Sequence, residues 1–539
     1  MMPFGSRSQG LRVSGANNQL MVSAVLGILG LGAAWILSGF VSNSDYHALI
    51  YSALLIAVAT ITVAMLRNWR AGFYVFLVWL LFEDLIRKYM GNDMRIYFAK
   101  DYLALITYVS IMVAINQRRA FLFRPRFLFF FSLFFWIAVL QVFNPEIPSV
   151  WYGLLGLKLY FYYVPMMFVG YALIETEADL YRFLVINMLL AIAISGLGIA
   201  QSILGAKFLN PTVLAPDLKE LASLHRVAPI SGAVVYRATS VFVSDARFAS
   251  YLVMIWCVAL GATGYLFLRG KTKGQNIFFL SSGLIIIAVF MSGGRASVGT
   301  VFETGVILAA AFLWGAPWRW KQAHRLVRSI RRAVFASILA FALIIVIFPK
   351  EIGARFAFYE ETLSPYSAKN ELRHRAVHYT YDETVKAFSY PGFWTGHGTG
   401  TTSLGTQYVR RILGQVRPQY MVEAGWGNLV IEMGALGLLL WLCWSTALML
   451  TMWAVAKRLK ETAYFPLAFA IIFYSFLLLF PMTWGGLDLY ENFVLNAYFW
   501  LLLGVFFRLP LLARGESATD PTRDPLFERS LTAHLSEAP

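Results

Sequence analysis

The sequence predicts an all-α integral membrane protein, and both its composition and its apolar runs support this fold class. Of the 539 residues, 59% are hydrophobic and only 14% are charged. In soluble globular proteins roughly a quarter of the residues are charged. The mean hydropathy of this chain is +0.63. This composition excludes a soluble enzyme, a disordered chain and a disulfide-linked scaffold.

The apolar runs set the predicted transmembrane helices, about 12–14 in number, because a helix needs roughly 20 mostly apolar residues to cross a bilayer. Fourteen runs approach this length: 20–41, 47–66, 71–84, 102–116, 127–143, 152–174, 182–204, 248–268, 276–292, 296–315, 333–348, 425–450, 464–483 and 492–508. The first run is too long for a signal peptide and lacks a small-residue cleavage site, so we expect an uncleaved anchor.

Basic residues fall in alternate connections between the runs, and this pattern predicts the orientation. The connections within 67–70, 118–126, 269–273, 319–332 and 457–460 together contain eighteen Lys and Arg residues. Because short basic connections stay in the cytoplasm, we expect both termini to be cytoplasmic. The acidic connection 175–181 is the exception. The net charge of +16 therefore reflects topology, and nucleic acid is not an expected partner.

The runs and connections together predict the organisation of the chain. Two connections on the opposite, extracytoplasmic side are too long to be turns, and long loops in a compact protein are usually functional or disordered. The predicted segments are a cytoplasmic N-terminus 1–19, N-terminal helices 20–204, an outer loop 205–247, central helices 248–348, a large outer loop 349–424, C-terminal helices 425–508, and a disordered cytoplasmic tail 509–539.

The two outer loops contain more arginine than the positive-inside rule favours, which indicates an anionic ligand. A guanidinium group matches phosphate or carboxylate oxygens with two parallel hydrogen bonds. The shorter loop contains Arg226, Arg237 and Arg247, and the longer one contains Arg355, Arg373, Arg375, Arg410, Arg411 and Arg417. The alternative is that these arginines pair with loop carboxylates, which are Glu351, Glu360, Glu361, Glu371 and Asp382.

One arginine lies at the boundary between two predicted helices, where a charge is costly and usually has a function. It is Arg295, in the segment Ser-Gly-Gly-Arg-Ala-Ser from 292 to 297. In the larger loop, residues 369–389 have the apolar spacing of an amphipathic helix, which Pro391 ends. A glycine-dense turn follows at 392–400, and glycine lets backbone approach a ligand closely.

In these segments the sequence resembles the family of O-antigen ligases and O-antigen polymerases, which are polytopic membrane glycosyltransferases. Four segments between about 150 and 450 are similar to the family's motifs, in the same order and topology. They are Arg237–Asp245, Ser292–Ser297, Arg375–Gly400, and Glu423-Ala424 followed by Gly434-Ala-Leu-Gly437. The ligases have His-Asn where this chain has Glu423-Ala424.

The resemblance implies a GT-C-like fold and transfer of a glycan from a polyprenyl-pyrophosphate carrier, at the outer face of the bacterial cytoplasmic membrane. The candidate base is Glu423, with His397 or His378 as substitutes. The candidate contacts to pyrophosphate or glycan are Arg295, Arg237, Arg375, Arg373, Arg247 and Lys158. No metal and no cofactor is expected, because arginines can neutralise the leaving group.

The expected partners are a polyprenyl-pyrophosphate-linked oligosaccharide, the lipid bilayer, and flippase and chain-length regulator proteins. The leading interpretation is a polymerase that joins lipid-linked repeat units into a surface polysaccharide or exopolysaccharide. The alternative is a ligase that moves the finished glycan to lipid A core or to a protein. A transporter or flippase is the alternative from another class, with Lys158, Glu303 and Glu432 as its ionisable residues within predicted helices.

Overall fold

The computed structural model describes residues 46–116, 127–211, 224–270, 275–317, 345–363, 378–402 and 422–519, with single positions at 328, 331, 335, 339, 342, 409, 414 and 420. The chain divides into two compact units, residues 1–72 and 73–539. The described part of the first unit is a helix, α1 (Tyr46–Arg67), and the start of the next.

The described residues are mostly helical, as the sequence predicts. The helices before the first long connection are α2 (Trp69–Tyr89), α3 (Met94–Asn116), α4 (Leu128–Gln141), α5 (Val150–Phe161), α6 (Met166–Leu173) and α7 (Glu177–Leu204). Those after it are α8 (Asp245–Arg269), α9 (Gln275–Met291), α10 (Arg295–Gly315), α11 (Pro349–Leu363) and α12 (Thr380–Ser389). The last group is α13 (Gly425–Leu459), α14 (Phe465–Leu477), a π-helical turn (Leu478–Met482), α15 (Thr483–Gly485), α16 (Leu487–Glu491) and α17 (Phe493–Thr519).

Eight helical segments among the described residues are long and apolar enough to cross a membrane, so the chain is a multi-pass membrane protein. They are Met94–Ala114, Val150–Leu173, Glu177–Leu204, Asp245–Arg269, Arg295–Gly315, Gly425–Leu459, Phe465–Gly485 and Phe493–Arg514. Three shorter apolar helices are Ile56–Arg67, Leu128–Gln141 and Asn276–Met291. The predicted run 20–41 and most of 333–348 lie outside the described residues. The run 71–84 falls in α2, whose end carries four charged residues.

Two pairs of helices in the bundle, α8 with α14 and α17 with α6, pack closely through glycine. A Cβ atom at Gly261 of α8 would lie 2.6 Å from the Cβ of Ala470, and one at Gly504 of α17 would lie 2.0 Å from the carbonyl oxygen of Met167. Small residues are the usual means by which membrane helices approach each other. A cluster of aromatic rings joins α4, α13 and α17, and its members are Phe131, Phe134, Trp441, Trp444 and Trp500.

The segment between α7 and α8 forms a small hairpin that the sequence did not predict. Strands β1 (His225–Val227) and β2 (Val234–Tyr236) pair antiparallel, with Arg226 opposite Val235. Val235 packs into a small core with Phe358 and Tyr359 of α11. The carboxylate of Glu361 accepts hydrogen bonds from the backbone N–H groups of Ile230 (2.7 Å) and Ser231 (3.0 Å). The hairpin and α11 therefore pack together, at the end of the bundle where α7 ends and α8 begins. We call this the loop-bearing end.

Two predicted boundaries differ from the structure, and a third lies outside the described residues. Helix α8 begins at Asp245, where the side chain of Ser244 accepts a hydrogen bond from the N–H of Arg247, rather than at 248. Helix α17 continues beyond 508, through Pro510, to Thr519, so the part of the predicted disordered tail up to 519 is helical. Proline is tolerated in membrane helices because neighbouring groups satisfy the backbone that it frees. Of the predicted helix 369–389, the structure describes Thr380–Ser389 as α-helical, and 369–377 lie outside the described residues.

Candidate functional site

Arg295 is the first residue of α10, immediately after a tight turn that joins it to α9. Gly293 in this turn has φ of 73°, a left-handed conformation that favours glycine. The hydroxyl of Ser297 donates to the carbonyl of Gly294 (2.7 Å), and the N–H of Gly294 donates to the hydroxyl of Ser292 (3.2 Å). The small polar residues of the motif thus shape the turn. The guanidinium of Arg295 lies 5.6 Å from the ring centroid of Phe358.

Arg237 packs against this same turn from the other side. A Cβ atom at Gly293 would lie 3.3 Å from the Cγ of Arg237, so any larger residue at 293 would press on that side chain. The guanidinium of Arg237 forms an ion pair of 2.5 Å with Asp245, the first residue of α8. Burial lowers the pKa of Arg237, the charge of Asp245 opposes this, and the positive charges of Arg226 and Arg295 lower it further. Three cations therefore share this site with the Asp245 carboxylate.

Arg355 of α11 contacts backbone carbonyls, whereas the sequence pattern predicts that the outer-loop arginines bind an anionic ligand. Arg355 is 2% exposed, and its guanidinium donates to the carbonyl oxygens of Ser202 (3.1 Å), Met291 (3.2 Å) and Glu351 (2.9 Å). The last carbonyls of a helix have no partner within the helix. Arg355 therefore satisfies the ends of α7 and α9 and fixes α11 over the Gly293 turn. It supports the site and is not placed to bind a ligand.

The glycine-dense turn 392–400 fills a break in α13. Gly434 has φ of 74° and ψ of 177° inside this helix, which interrupts its hydrogen bonds. Backbone of the turn supplies replacements: the N–H groups of His397 and Gly398 donate to the carbonyls of Ile431 (2.7 Å) and Glu432 (3.0 Å). The N–H of Ala435 donates to the carbonyl of Phe393 (2.8 Å). The turn 392–400 and the break at Gly434 therefore form one hydrogen-bonded unit, which we call the His397 unit.

The side chain of Glu432 completes this unit. It is fully buried, and its carboxylate accepts hydrogen bonds from the hydroxyl of Tyr160 (2.9 Å) and from the N–H (3.0 Å) and hydroxyl (2.8 Å) of Thr402. A buried carboxylate is tolerated when it is hydrogen-bonded in this way. Glu432 holds the turn 392–402 against α5 and α13, which is a structural role.

His397 is held rigidly within the same unit and is 4% exposed. Its Nδ1 is hydrogen-bonded to the carboxylate of Glu146, in the connection between α4 and α5. Its ring stacks on that of Tyr420, with centroids 4.0 Å apart. Its Nε2 is buried and has no hydrogen-bond partner within the described part of the chain. A carboxylate at Nδ1 orients the ring, as it does in histidines that act as general bases.

The remaining predicted site residues divide into three groups. Arg373 and Arg375 lie outside the described residues. Glu423 is exposed, and so is His378. Glu423, the candidate base, is therefore not enclosed by the described part of the chain. The chain enters α13 through the neighbouring Ala424, which is buried instead, and the N–H of Glu423 donates to the carboxylate of Glu383 (3.0 Å).

Arg247 and Lys158 pair with carboxylates other than Asp245. Arg247 donates to both oxygens of Asp84 (2.9 and 3.2 Å), and its guanidinium lies 4.9 Å from the ring centroid of Phe493. Lys158 forms an ion pair of 2.5 Å with Asp101. Both residues belong to a buried group of charges that is separate from the Gly293 turn. The carboxylates of this group, Asp84 and Asp101, are not among the residues that the sequence predicts for the site.

The short helix α16 and the residues beside it contact two of the groups described above, the residues around Glu432 and the charges around Arg247. The hydroxyl of Tyr490 donates to the carbonyl of Tyr160 (3.3 Å), next to Glu432. The ring of Phe493 lies against Arg247, which is two residues after the Asp245 that pairs with Arg237. The arginine site, the buried charges and the His397 unit therefore lie along one continuous path of contacts.

Comparison with protein families, with curated proteins and with solved structures finds no match to this chain. Within the described residues, no group of three or more His, Cys, Asp or Glu side chains is arranged to hold a metal ion. The two cysteines, Cys257 and Cys443, are free. The geometry of the site is therefore the basis for the function proposed below.

The break in α13 gives a testable prediction. A Cβ atom at Gly434 would lie 2.2 Å from the carbonyl oxygen of Trp394, and a non-glycine residue there would also be strained. We expect Gly434→Ala to displace the turn 392–402, so that proteases cleave the turn faster in the purified protein. Gly353→Ala is the control, because a Cβ atom there meets nothing within 4 Å. Equal cleavage rates for the two variants would contradict this account of the break.

Proposed function

We propose that the protein is a membrane glycosyltransferase that joins polyprenyl-pyrophosphate-linked oligosaccharide units into a surface polysaccharide or exopolysaccharide. The observation that carries the proposal is the meeting of Arg237 and Arg295 at the Gly293 turn, on the loop-bearing end of a membrane bundle. Arg226 lies close enough to affect the charge of Arg237, and Arg237 itself pairs with Asp245. Such a site suits the diphosphate headgroup of a lipid carrier.

The chemistry requires stabilisation of the leaving group. As the bond between the anomeric carbon and the pyrophosphate oxygen breaks, negative charge develops on that oxygen. A donor aimed at developing charge contributes roughly 3–4 kcal/mol, so two arginines can account for a large part of the catalysis. Arg237 and Arg295 approach the same place from different segments of the chain. Their guanidinium groups would hold the headgroup and neutralise the departing lipid pyrophosphate.

The acceptor hydroxyl requires a base, and His397 is the better candidate. The acceptor oxygen attacks the anomeric carbon, its proton passes to Nε2 of His397, and the lipid pyrophosphate leaves with the bonding electrons. Glu146 at Nδ1 would stabilise the imidazolium that forms. Glu423 was the first choice from the sequence, but an exposed carboxylate is not positioned in this way.

A ligase would use the same donor chemistry and differ only in its acceptor. The presence of Glu423-Ala424 where the ligases have His-Asn favours the polymerase. Transport is supported less, because Glu432 is fully engaged by Tyr160 and Thr402 in holding the loop. We place the protein in the bacterial cytoplasmic membrane, with both termini cytoplasmic and the loop-bearing end outside, where flippase and chain-length regulator proteins would be its partners.

The polysaccharide profile of a deletion strain tests the proposal as a whole. A polymerase deletion should abolish long polymer and leave single repeat units attached. A strain that accumulates full-length but unattached polymer would identify a ligase. An unchanged profile would contradict both assignments.

Arg295 gives the sharpest mutational prediction. We expect Arg295→Ala to reduce polymer synthesis by at least about 100-fold, because it removes a donor at the developing charge. Arg295→Lys should recover little activity, since a point charge does not reproduce a bidentate contact. The measurement is polymer yield at equal membrane abundance of the protein. Near-normal polymer from the lysine variant would exclude the pyrophosphate role.

A second prediction distinguishes a catalytic role of His397 and Glu146 from a purely structural one. With purified enzyme, we expect His397→Gln to abolish turnover. Glu146→Gln should lower kcat by about 10- to 100-fold, which is part of the roughly 10²- to 10⁴-fold that general acid–base catalysis contributes, and leave the KM for the lipid-linked donor unchanged. Glu423→Gln serves as the control and should retain activity. A Glu146→Gln enzyme that loses donor affinity and keeps kcat would contradict the assignment.

A further inference from the structure

An open groove lies between α13 and α14, which a short connection joins. The two helices run antiparallel, because Trp453 contacts Phe469 near the connection and Trp441 donates to the carbonyl of Leu479 further from it. The groove has a volume of about 440 Å³, within the range of small-molecule sites. We call it the α13–α14 groove, and its lining residues are Thr446, Met449, Leu450, Trp453, Phe469, Ile472, Phe473, Phe476 and Phe480.

One apolar stripe of each helix forms the walls of this groove. The lining positions of α13 are 446, 449, 450 and 453, and those of α14 are 469, 472, 473 and 476, which is the spacing of a single helix face. Ile472 and Phe473 are 7% and 8% exposed, whereas Leu450 and Phe476 are 65% and 44% exposed. The groove is therefore open along the outside of the hairpin. From 469 to 480 it extends for about 16 Å.

A pair of stacked tryptophans lies at one end of the groove. The rings of Trp453 and Trp314 have centroids 5.8 Å apart and planes inclined by 3°. The N–H of Glu461 donates to the carbonyl of Gly315 (2.8 Å), which joins the end of α10 to the connection after α13. Because α10 begins at the Gly293 turn, the tryptophan pair lies at the end opposite the loop-bearing end. Tryptophan is enriched where a membrane protein meets the lipid headgroups.

Two lysines lie beside the tryptophan pair. The Nζ of Lys457 is 5.8 Å from the ring centroid of Trp453, and the Nζ of Lys460 is 4.7 Å from that of Trp314. Lys457 is four residues after Trp453 and so lies on the same face of α13. Both lysines are exposed, and within the part of the chain that the structure describes neither amine forms an ion pair. Their donors are therefore available to an anion at this end of the groove.

The groove and its lysines are complementary to one kind of ligand, an anionic phospholipid. Its acyl chain matches the apolar walls, and its phosphate matches the amines. The segment 457–464 contains Lys457, Arg458 and Lys460 against the single carboxylate Glu461, and such a basic segment beside a membrane attracts anionic lipids. A helix of another protein, about 10–12 Å across, would need more than twice the volume of this groove over the same length.

We propose that the α13–α14 groove binds one anionic phospholipid, with an acyl chain between the helices and its phosphate at Lys457 and Lys460. The lipid would come from the leaflet opposite the loop-bearing end, which the proposed orientation makes the cytoplasmic one. The bound chain supplies dispersion contacts that the two apolar stripes do not make with each other. The inference does not depend on the proposed transfer reaction, because Arg237 and Arg295 lie at the other end of the bundle.

The test is lipid binding to the full-length protein in detergent, measured by native mass spectrometry. The probes are phosphatidylglycerol and phosphatidylcholine with the same acyl chains. We expect one tightly retained phosphatidylglycerol per chain, with a Kd at least about 10-fold below that of phosphatidylcholine, since two amines contact the phosphate of the lipid that carries a net negative charge. Equal affinity for the two lipids, or no retained lipid, would overturn the proposal.

Charge substitutions test the headgroup contact. Lys457→Gln should raise the Kd for phosphatidylglycerol by about 10-fold, the loss expected for one charge-assisted hydrogen bond. Arg458→Gln is the matched control, because Arg458 is exposed in the same segment but lies about 100° further round the helix from Lys457. Its affinity should stay within about 2-fold of wild type. An equal loss in both variants would indicate a general effect of charge and would contradict the site.

Filling the groove tests the position of the acyl chain. Thr446 is exposed and lines the groove, so Thr446→Trp should place an indole in the path of the chain and raise the Kd by about 10-fold. Leu439→Trp is the control, because Leu439 is 55% exposed on α13 and does not line the groove. Wild-type binding by Thr446→Trp would overturn the proposal. Displacement of the lipid by an equal concentration of glycerol 3-phosphate would also overturn it, because the site would then be one for a free anion.

Discussion

Compensation of buried positive charge is the constraint on which the loop-bearing end of this protein depends. Arg237, Arg247 and Lys158 each pair with one carboxylate, and these carboxylates are Asp245, Asp84 and Asp101. Further cations, Arg295 and Lys100, lie beside aromatic rings. Because the interior of a membrane bundle solvates ions poorly, each of these cations needs a carboxylate or an aromatic ring beside it.

A second constraint is that backbone polar groups inside a membrane need partners. The break in α13 at Gly434 would leave such groups unpaired, and the turn 393–398 supplies what the helix lacks. The same contacts fix His397 between Glu146 and Tyr420. An irregular stretch of backbone thus gives a rigid support for a candidate base. The glycines are needed for close approach of the two segments rather than for contact with a phosphate.

The sequence was sufficient to predict the membrane helices, because runs of apolar residues are a local signal. It singled out Arg237 and Arg295, since an outer arginine breaks the positive-inside pattern, and their contact with a ligand stays a prediction. It could not show that Glu423 is exposed, because exposure is decided by how the chain enters α13. It could not pair Glu146 with His397, or Asp84 with Arg247, which are 251 and 163 residues apart. The hairpin at 225–236 was missed because its three-residue strands are too short for a periodic pattern.

The central claim is that the excess of arginine at the Gly293 turn binds a lipid diphosphate. The most direct measurement is a structure of the full-length protein in lipid nanodiscs with a polyprenyl pyrophosphate added. We expect phosphate oxygens within hydrogen-bonding distance, about 2.7–3.2 Å, of the guanidinium groups of both Arg237 and Arg295. A headgroup bound elsewhere, with both arginines contacting only protein, would contradict the account.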